Sequence, residues 1–492
     1  MPKNELEVFW PRWIFLRGLG LIFFSAFYSL AFQVRGLIGE RGILPADYYL
    51  HQLSTSLGVV ERVWYAPTLL WLNASDFALT LIVVAGIVAS VLLIVNVAPR
   101  PAVAICTVLF LSCIGALQDF SSYQSDGMLL EAGFISFFFA PRGLRPGLGL
   151  TDPPSRFSLF MLRWEWFRIY FESGLVKILS GDPHWRNFTA MDDYYQNGPL
   201  PSWLGWYVQQ LPHWYHAGTV ALTFLVELFL VWAVFLPRRF RIGCFFIVTA
   251  LQIGIIATAN YAFLNYLVLL LGVLLLDDRI LERIGLTAPA RPEPIARSTL
   301  YRRLETGILA VALYATVVAF VMGGSTSILA LPDRLLAPFR IANAYGLFAV
   351  MTPARYEIEF QGSNDGVTWT AYPFRYKPQD VRERPGFYAP YQPRFDWNLW
   401  FASLAPWEQN PWVVLTEQRL LDGSPSVLSL FRADPFKGKP PSMVRTVISQ
   451  YWFTDIPTKR ARGAWWRREE LGAFSPPVQR DARGNSRLST PQ

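Results

Sequence analysis

The sequence predicts a polytopic α-helical membrane bundle of about nine hydrophobic spans, one or two of them re-entrant, followed by a soluble, β-rich α+β domain at the C-terminal end. Three observations predict it. Hydrophobic residues make up 52% of the 492-residue chain and charged residues 16%, with a mean hydropathy of +0.27, too apolar for one soluble core. The apolar residues gather in blocks of about 18–24, the length an α-helix needs to cross about 30 Å of hydrocarbon. From about residue 331 the apolar runs stop, and turn residues, charges and period-2 alternation take over.

The apolar blocks fall near residues 13–34, 77–98, 101–118, 128–140, 157–180, 217–236, 241–258, 261–276 and 304–324. Two of them break the pattern. Residues 128–140 (MLLEAGFISFFFA) are short for a crossing, and 157–180 carries five charged side chains, so these are the candidates for a re-entrant or interior position. The first block holds Arg17 and Gly18 and shows no small-residue cleavage site, which reads as a retained helix and not a signal peptide.

Short cytoplasmic connectors of membrane proteins are rich in Lys and Arg. Alternate connectors carry them here: Lys3 and Arg12; Arg100; Arg142, Arg145 and Arg156; Arg238, Arg239 and Arg241; then Arg279, Arg283, Arg291, Arg297, Arg302 and Arg303. Connectors 119–127 and 258–260 have none, and 181–216 has Arg186 alone against Asp182, Asp192 and Asp193. Connector 35–76 is mixed, with Arg35, Arg41 and Arg62 beside Glu40, Asp47 and Glu61. The pattern predicts nine crossings, a cytoplasmic N-terminus and an extracytoplasmic C-terminal domain. The same signals, facing anionic lipid, account for the net charge of +8. The expected partner is therefore the lipid bilayer, and no nucleic acid is expected, since no basic, aromatic-interleaved patch occurs.

Cys106, Cys113 and Cys244 all lie inside predicted spans, so the outward-facing parts carry no thiol, which excludes a disulfide oxidase or isomerase. Cys106 and Cys113 share a helix face and read as packing residues. His51, His184, His213 and His216 fall in connectors predicted to face outside. His213 and His216 are spaced i,i+3, yet PHWYH is rich in aromatic residues and reads as an interfacial anchor, so no metal site is expected. No nucleophile elbow, phosphate loop or Ser-His-Asp order is present.

Three parts are expected: a transmembrane domain over 1–330, an extracytoplasmic β-rich domain over 331–475, and a flexible tail over 476–492. In YEIEFQ, Tyr356, Ile358 and Phe360 alternate with Glu357, Glu359 and Gln361, the signature of a half-buried strand. Gly362–Gly366 supplies a turn, after which Val367, Trp369, Tyr372, Phe374 and Tyr376 continue the sheet as a hairpin. Trp397, Trp400, Phe401 and Leu404 repeat at helical spacing, and residues 444–453 (VRTVISQYWF) read as a strand, giving an α+β or sandwich-like domain.

Several segments, in order along nearly the whole chain, resemble the blocks of the lipase maturation factor family. They include WIFLRGLGLIFFSAFYSL with RGLIGERGILPA, YQSDGMLLEAGF with FFFAPRG, RWEWFRIYFESGLVKILSGDPHWRNFTAMDDYYQNGPLP, TANYAFLNYL, FQGSNDGVTWTAYPFRYKP, QPRFDWNLWF and WWRREELG. The resemblance implies a chaperone-like protein of the endoplasmic reticulum membrane that helps secreted lipases fold and assemble, with its C-terminal domain in the lumen. Short loops and few cysteines suggest a bacterial homologue, for which that side is the periplasm and the membrane the inner membrane.

Charges inside a bilayer cost about 2.5–3.5 kcal/mol each on insertion scales, so each needs a partner, water or an interface. Glu165, Arg168 and Glu172 fall within one arc of about 60° on their helix and should face inward, Arg168 pairing with either glutamate. Arg163 and Lys177 point the other way, near the helix ends, where long side chains snorkel. Glu131 and Glu227 are isolated carboxylates in apolar segments. This intramembrane cluster keeps a transporter alternative open. A second, local resemblance lies in FESGLVKILSGDPHW, similar to a segment of vitamin K-dependent gamma-glutamyl carboxylase at Gly174, Lys177, Asp182 and Trp185. It implies an enzyme alternative with Lys177 as catalytic base and a quinone-like lipid cofactor. The leading reading is a non-enzymatic maturation factor with no cofactor, in which connectors 35–76 and 181–216 and the C-terminal domain bind a secreted client. Trp397, Trp400, Trp465 and Trp466 are its candidate client-binding residues, with a core role also open for the first two.

Overall fold

The computed structural model describes residues 8–121, 123–287, 293, 295 and 297–481, with the backbone of 486–488. Lys3 and Arg291, two of the basic residues in the alternating pattern, lie outside the described residues. Among those described, nine helical segments coincide with the nine apolar blocks. They are α1 (Phe9–Ala31), α2 (Asp76–Ile94), α3 (Pro99–Ile114), α4 (Gln124–Phe139), α5 (Arg156–Leu179), α6 (His213–Phe235), α7 (Arg238–Thr258), α8 (Leu264–Leu275) and α9 (Thr299–Met322). Five of them, α1, α2, α6, α7 and α9, are long and apolar enough to cross a membrane.

The other four depart from that description for physical reasons. Helices α3 and α4 have 16 residues each and α8 is also short, while α5 has 24 residues interrupted by charge. Helix α4 is buried at 13 of its 16 positions, Asp126 and Glu131 among them, so it is an interior helix whose charges need partners. Helix α1 is part of the bundle. It packs along α2, and a Cβ at Gly20 would meet the backbone nitrogen of Ile94 at 3.0 Å, so glycine permits the approach. Arg17 Nε donates to the Leu93 carbonyl across the same contact, at 2.8 Å.

The basic connectors meet at one end of the bundle. Asp152 there accepts Arg142 (3.2 Å) and Arg297 (2.8 Å), with Arg100 at 3.7 Å, and Arg12 donates to the carbonyls of Leu148, Gly149 and Asp152. Burial pushes the Asp152 carboxyl up, yet Arg142 and Arg297 outweigh it and leave it below the usual range. The C-terminal domain sits at the opposite end, on the connectors poor in Lys and Arg. Arg394 bonds Asp126, Asn197 Nδ2 donates to the Thr352 carbonyl, and Asn260 Nδ2 to that of Gly386.

That domain is one five-stranded antiparallel sheet in the order β2-β1-β3-β4-β5, formed by β1 (Arg355–Ser363), β2 (Thr370–Ala371), β3 (Met443–Phe453), β4 (Trp466–Arg480) and β5 (Ser486–Leu488). Helices α10 (Arg394–Ala402) and α11 (Pro411–Leu421) pack on it, making it α+β. Phe360, Phe374, Phe395 and Phe431 form an aromatic core with centroids 5.2–6.4 Å apart.

Three expectations change. Strand β1 is buried on both faces, because its polar side is neutralised: Lys377 Nζ lies 2.7 Å from Glu357, Arg355 pairs with the same carboxylate, and Gln379 donates to Glu359. The expected hairpin is brief, since β2 spans two residues and Val367 stands exposed, although Tyr372 and Phe374 do enter the core. The boundary at 475 falls inside β4, which pairs with β3 as far as Gln479 opposite Met443, and β5 adds a further strand. Residues 482–485 and 489–492 of the expected tail lie outside the described residues.

Candidate functional site

Helix α6 is not regular. It turns as an α-helix to Phe224, opens into a π turn over Leu225–Phe229 and tightens to a 3-10 helix over Leu230–Phe235. The π turn adds a residue to one turn and re-aims its side chains, a device common at functional sites. Here it carries Glu227 toward α5. Its carboxylate meets Lys177 Nζ at 2.8 and 3.1 Å, and Lys177 also donates to the Ser173 carbonyl. Gly174 makes this approach possible: a Cβ there would stand 2.8 Å from that of Glu227.

Lys177 therefore does not snorkel. Its side chain is 3% exposed, faces the interior and lies 5.3 Å from the Trp185 ring centroid. Its amine is committed to the Glu227 carboxylate and the Ser173 carbonyl, whereas a base needs a free amine facing its substrate. Arg163, the other expected snorkeller, spends its donors on the Leu274 carbonyl at 2.7 and 2.9 Å.

Trp185 and Asp182 connect this pair to a strap, residues 340–352, that leads from α9 to the sheet. Trp185 Nε1 donates to the Phe348 carbonyl (2.9 Å), and Asp182 accepts the N–H groups of Met351 (2.6 Å) and His184 (2.9 Å). Burial raises the Asp182 carboxyl, but those N–H donors win and hold it below the usual range. Gly174 and Trp185 thus flank the Lys177–Glu227 pair, while Asp182 is spent on the strap and His184.

The same strap closes the second cluster. Glu131 on α4 binds Arg168 on α5, and its other oxygen accepts from Tyr345 Oη (2.9 Å) and Asn343 Nδ2 (3.0 Å). Glu172 accepts the Tyr345 N–H at 2.7 Å, with Arg168 at 3.9 Å, and Arg168 also donates to the Asn343 carbonyl. Arg168 pairs with Glu131 and not with Glu165, whose two buried oxygens have no partner among the described residues. Glu131 and Glu172 are sealed by their neighbours, at 1% and 4% exposure, and do not form the open polar path a transporter needs.

The four candidate tryptophans do not form one exposed patch. Trp397, Trp400 and Trp466 are buried, and Trp465 packs against Trp206 with its ring 3.7 Å below Lys459 Nζ. Trp397 and Trp400 do line a cavity of about 460 Å³ between the domain and the bundle, floored by Tyr123, Tyr261 and the strap. Connector 35–76 does carry exposed apolar side chains: the helix Val59–Tyr65 buries none of its residues, and Val60 and Leu72 are 82% and 87% exposed. His213 bonds Asp192 at 3.0 Å while His216 is buried beside Tyr195, so the two do not converge. The three cysteines are free and buried.

Residues 10–283 match the family described as lipase maturation factor transmembrane domain, and residues 341–476 match the lipase maturation factor C-terminal domain. The chain is 32% identical over 514 residues to lipase maturation factor 1 of Bos taurus, covering 97% of this chain and 90% of the relative. It is 31% identical over 582 residues to lipase maturation factor 2 of Gallus gallus, covering 95% and 81%. No solved structure matches. With both halves matched in order and relatives aligned over nearly its whole length, this integral membrane protein belongs to the lipase maturation factor family.

Proposed function

We propose that this protein is a membrane-anchored maturation factor that assists the folding and assembly of secreted lipases and performs no chemistry of its own. The observation that carries this reading is the alignment with lipase maturation factors across the bundle and the C-terminal domain together. Two structural features support it. Five of the charged groups that could serve catalysis or transport, Glu131, Arg168, Glu172, Lys177 and Glu227, are consumed in holding the strap and α6 in place. The end of the bundle that bears the C-terminal domain also bears the exposed apolar helix Val59–Tyr65, a surface suited to an unfinished client.

In this reading all nine helices cross the bilayer, the N-terminus is cytoplasmic and the C-terminal domain extracytoplasmic, as the gathering of basic connectors at one end favours. A cysteine placed at Val367 should react with an impermeant maleimide in intact cells, or in the lumen of sealed microsomes, and one at Arg145 should not. The reverse result would invert the orientation. The function itself is tested by comparing secreted proteins from cells with and without this chain. Lipase protein secreted at normal amount with reduced specific activity is the expected result; unchanged specific activity of every secreted lipase would reject it.

A further inference from the structure

Between α5, α6, α7 and α8 lies a cavity of about 680 Å³, within the range of about 300–1,000 Å³ typical of small-molecule sites. Its rim includes Leu222, Phe246 and Ile247, apolar side chains exposed on the outer surface of the bundle where lipid chains lie. Its inner wall is polar. Lys177 and Glu227 lie there as a pair, and beside them runs a chain of hydrogen bonds. Asn265 Nδ2 donates to Gln252 (2.8 Å), and Gln252 Nε2 donates to Tyr170 Oη (2.6 Å), which commits the tyrosine oxygen as acceptor and leaves its own proton without an acceptor among the described residues.

We propose that this cavity is a binding site for a neutral-headed lipid bearing hydroxyl and ester carbonyl groups, entering sideways from the bilayer between α6 and α7. The charge balance selects the head group. Lys177 and Glu227 already cancel, and an anionic or cationic head would have to draw one from the other and leave a buried charge unpaired. A carbonyl takes the free Tyr170 proton, and a hydroxyl donates to the remaining lone pairs of Glu227. The apolar rim takes the chain. The site is independent of the client reading, since it requires neither the C-terminal domain surface nor a lipase.

The test uses the full-length protein in phosphatidylcholine nanodiscs with a diazirine-bearing monoacylglycerol. Crosslinks should concentrate on the α6 and α7 peptides that contain Leu222, Phe246 and Ile247, and excess unlabelled monoacylglycerol should reduce them at least fivefold. Gly254→Trp should abolish them without disturbing the fold, because a side chain at Gly254 projects from the cavity rim into open space. Tyr170→Phe should weaken competition several-fold. Labelling spread evenly over the outer faces of α2, α7 and α9 and unaffected by competitor would overturn the proposal. So would equally strong labelling of the same peptides by a diazirine-bearing phosphatidic acid. Both readouts are available on the unaltered protein, whatever the variants do.

Discussion

Asp126 at the start of α4 and Arg394 at the start of α10 form a two-point ion pair at 2.7 and 2.8 Å, fully buried, between residues that belong to the bundle and to the C-terminal domain. Such a pair fixes geometry more than it adds stability, because desolvation offsets most of its Coulomb energy. Removing one partner is another matter. Arg394→Met should destabilise the protein by about 3–5 kcal/mol, since Asp126 is left as a buried charge. Thermal unfolding and protease sensitivity of residues 353–480 report it; a loss under about 1 kcal/mol would mean that the pair is wet and exposed.

Lys177 and Glu227 should behave as a structural pair. Lys177→Met alone should reduce stability by about 3–5 kcal/mol, and the double variant Lys177→Met, Glu227→Leu should recover most of it. A lysine acting as a base gives a different signature, with lost activity at unchanged abundance and no rescue by the second substitution.

Gly174→Val should separate α5 from the π turn of α6, since its Cβ already falls 2.8 Å from that of Glu227 and 3.0 Å from Leu228. A cost of about 1–3 kcal/mol is expected from such overpacking. Retention of wild-type stability would show that the turn relaxes freely.

Glu417 on α11 gives a pH signature in the C-terminal domain. Burial pushes its carboxyl up from 4.5 to about 8, only partly offset by Ser475 and Thr446. Between those values the unfolded chain releases a proton that the folded one keeps, so stability falls as pH rises across that window. Glu417→Gln should flatten the dependence and raise the melting temperature above that of the wild type at pH 8. Identical pH profiles for the two proteins would contradict the assignment.

Much of this was legible in the sequence. Every apolar block is a helix, and the inward arc of Glu165, Arg168 and Glu172 was readable because side-chain direction on a regular helix follows from spacing. Partners were legible only in part: Arg168 keeps Glu172 at 3.9 Å, as the spacing predicts, but it also takes Glu131 from a neighbouring helix, and the loop residues Asn343 and Tyr345 complete the network without any local signal. The direction of Lys177 was misread because snorkelling depends on nothing nearby competing for the amine, and a π turn in α6 brings Glu227 within reach. Gln252 and Asn265, polar residues in apolar helices, carried a signal that the charged residues overshadowed. In β1 the alternation was real, but ion pairs let both faces be buried. The tryptophans of α10 follow the helical period of a core stripe, and the core is where three of the four candidates lie.

The central claim concerns the extracytoplasmic end, and one measurement addresses it most directly: the specific activity of secreted lipase in cells that carry the full chain, no chain, or a chain ending after Met351. Stopping there keeps Asn343, Tyr345 and the N–H bonded to Asp182, so the bundle retains its strap. The account predicts that the shortened chain inserts at normal abundance and leaves lipase as inactive as in cells without the protein. Full lipase activity supported by the shortened chain would contradict it.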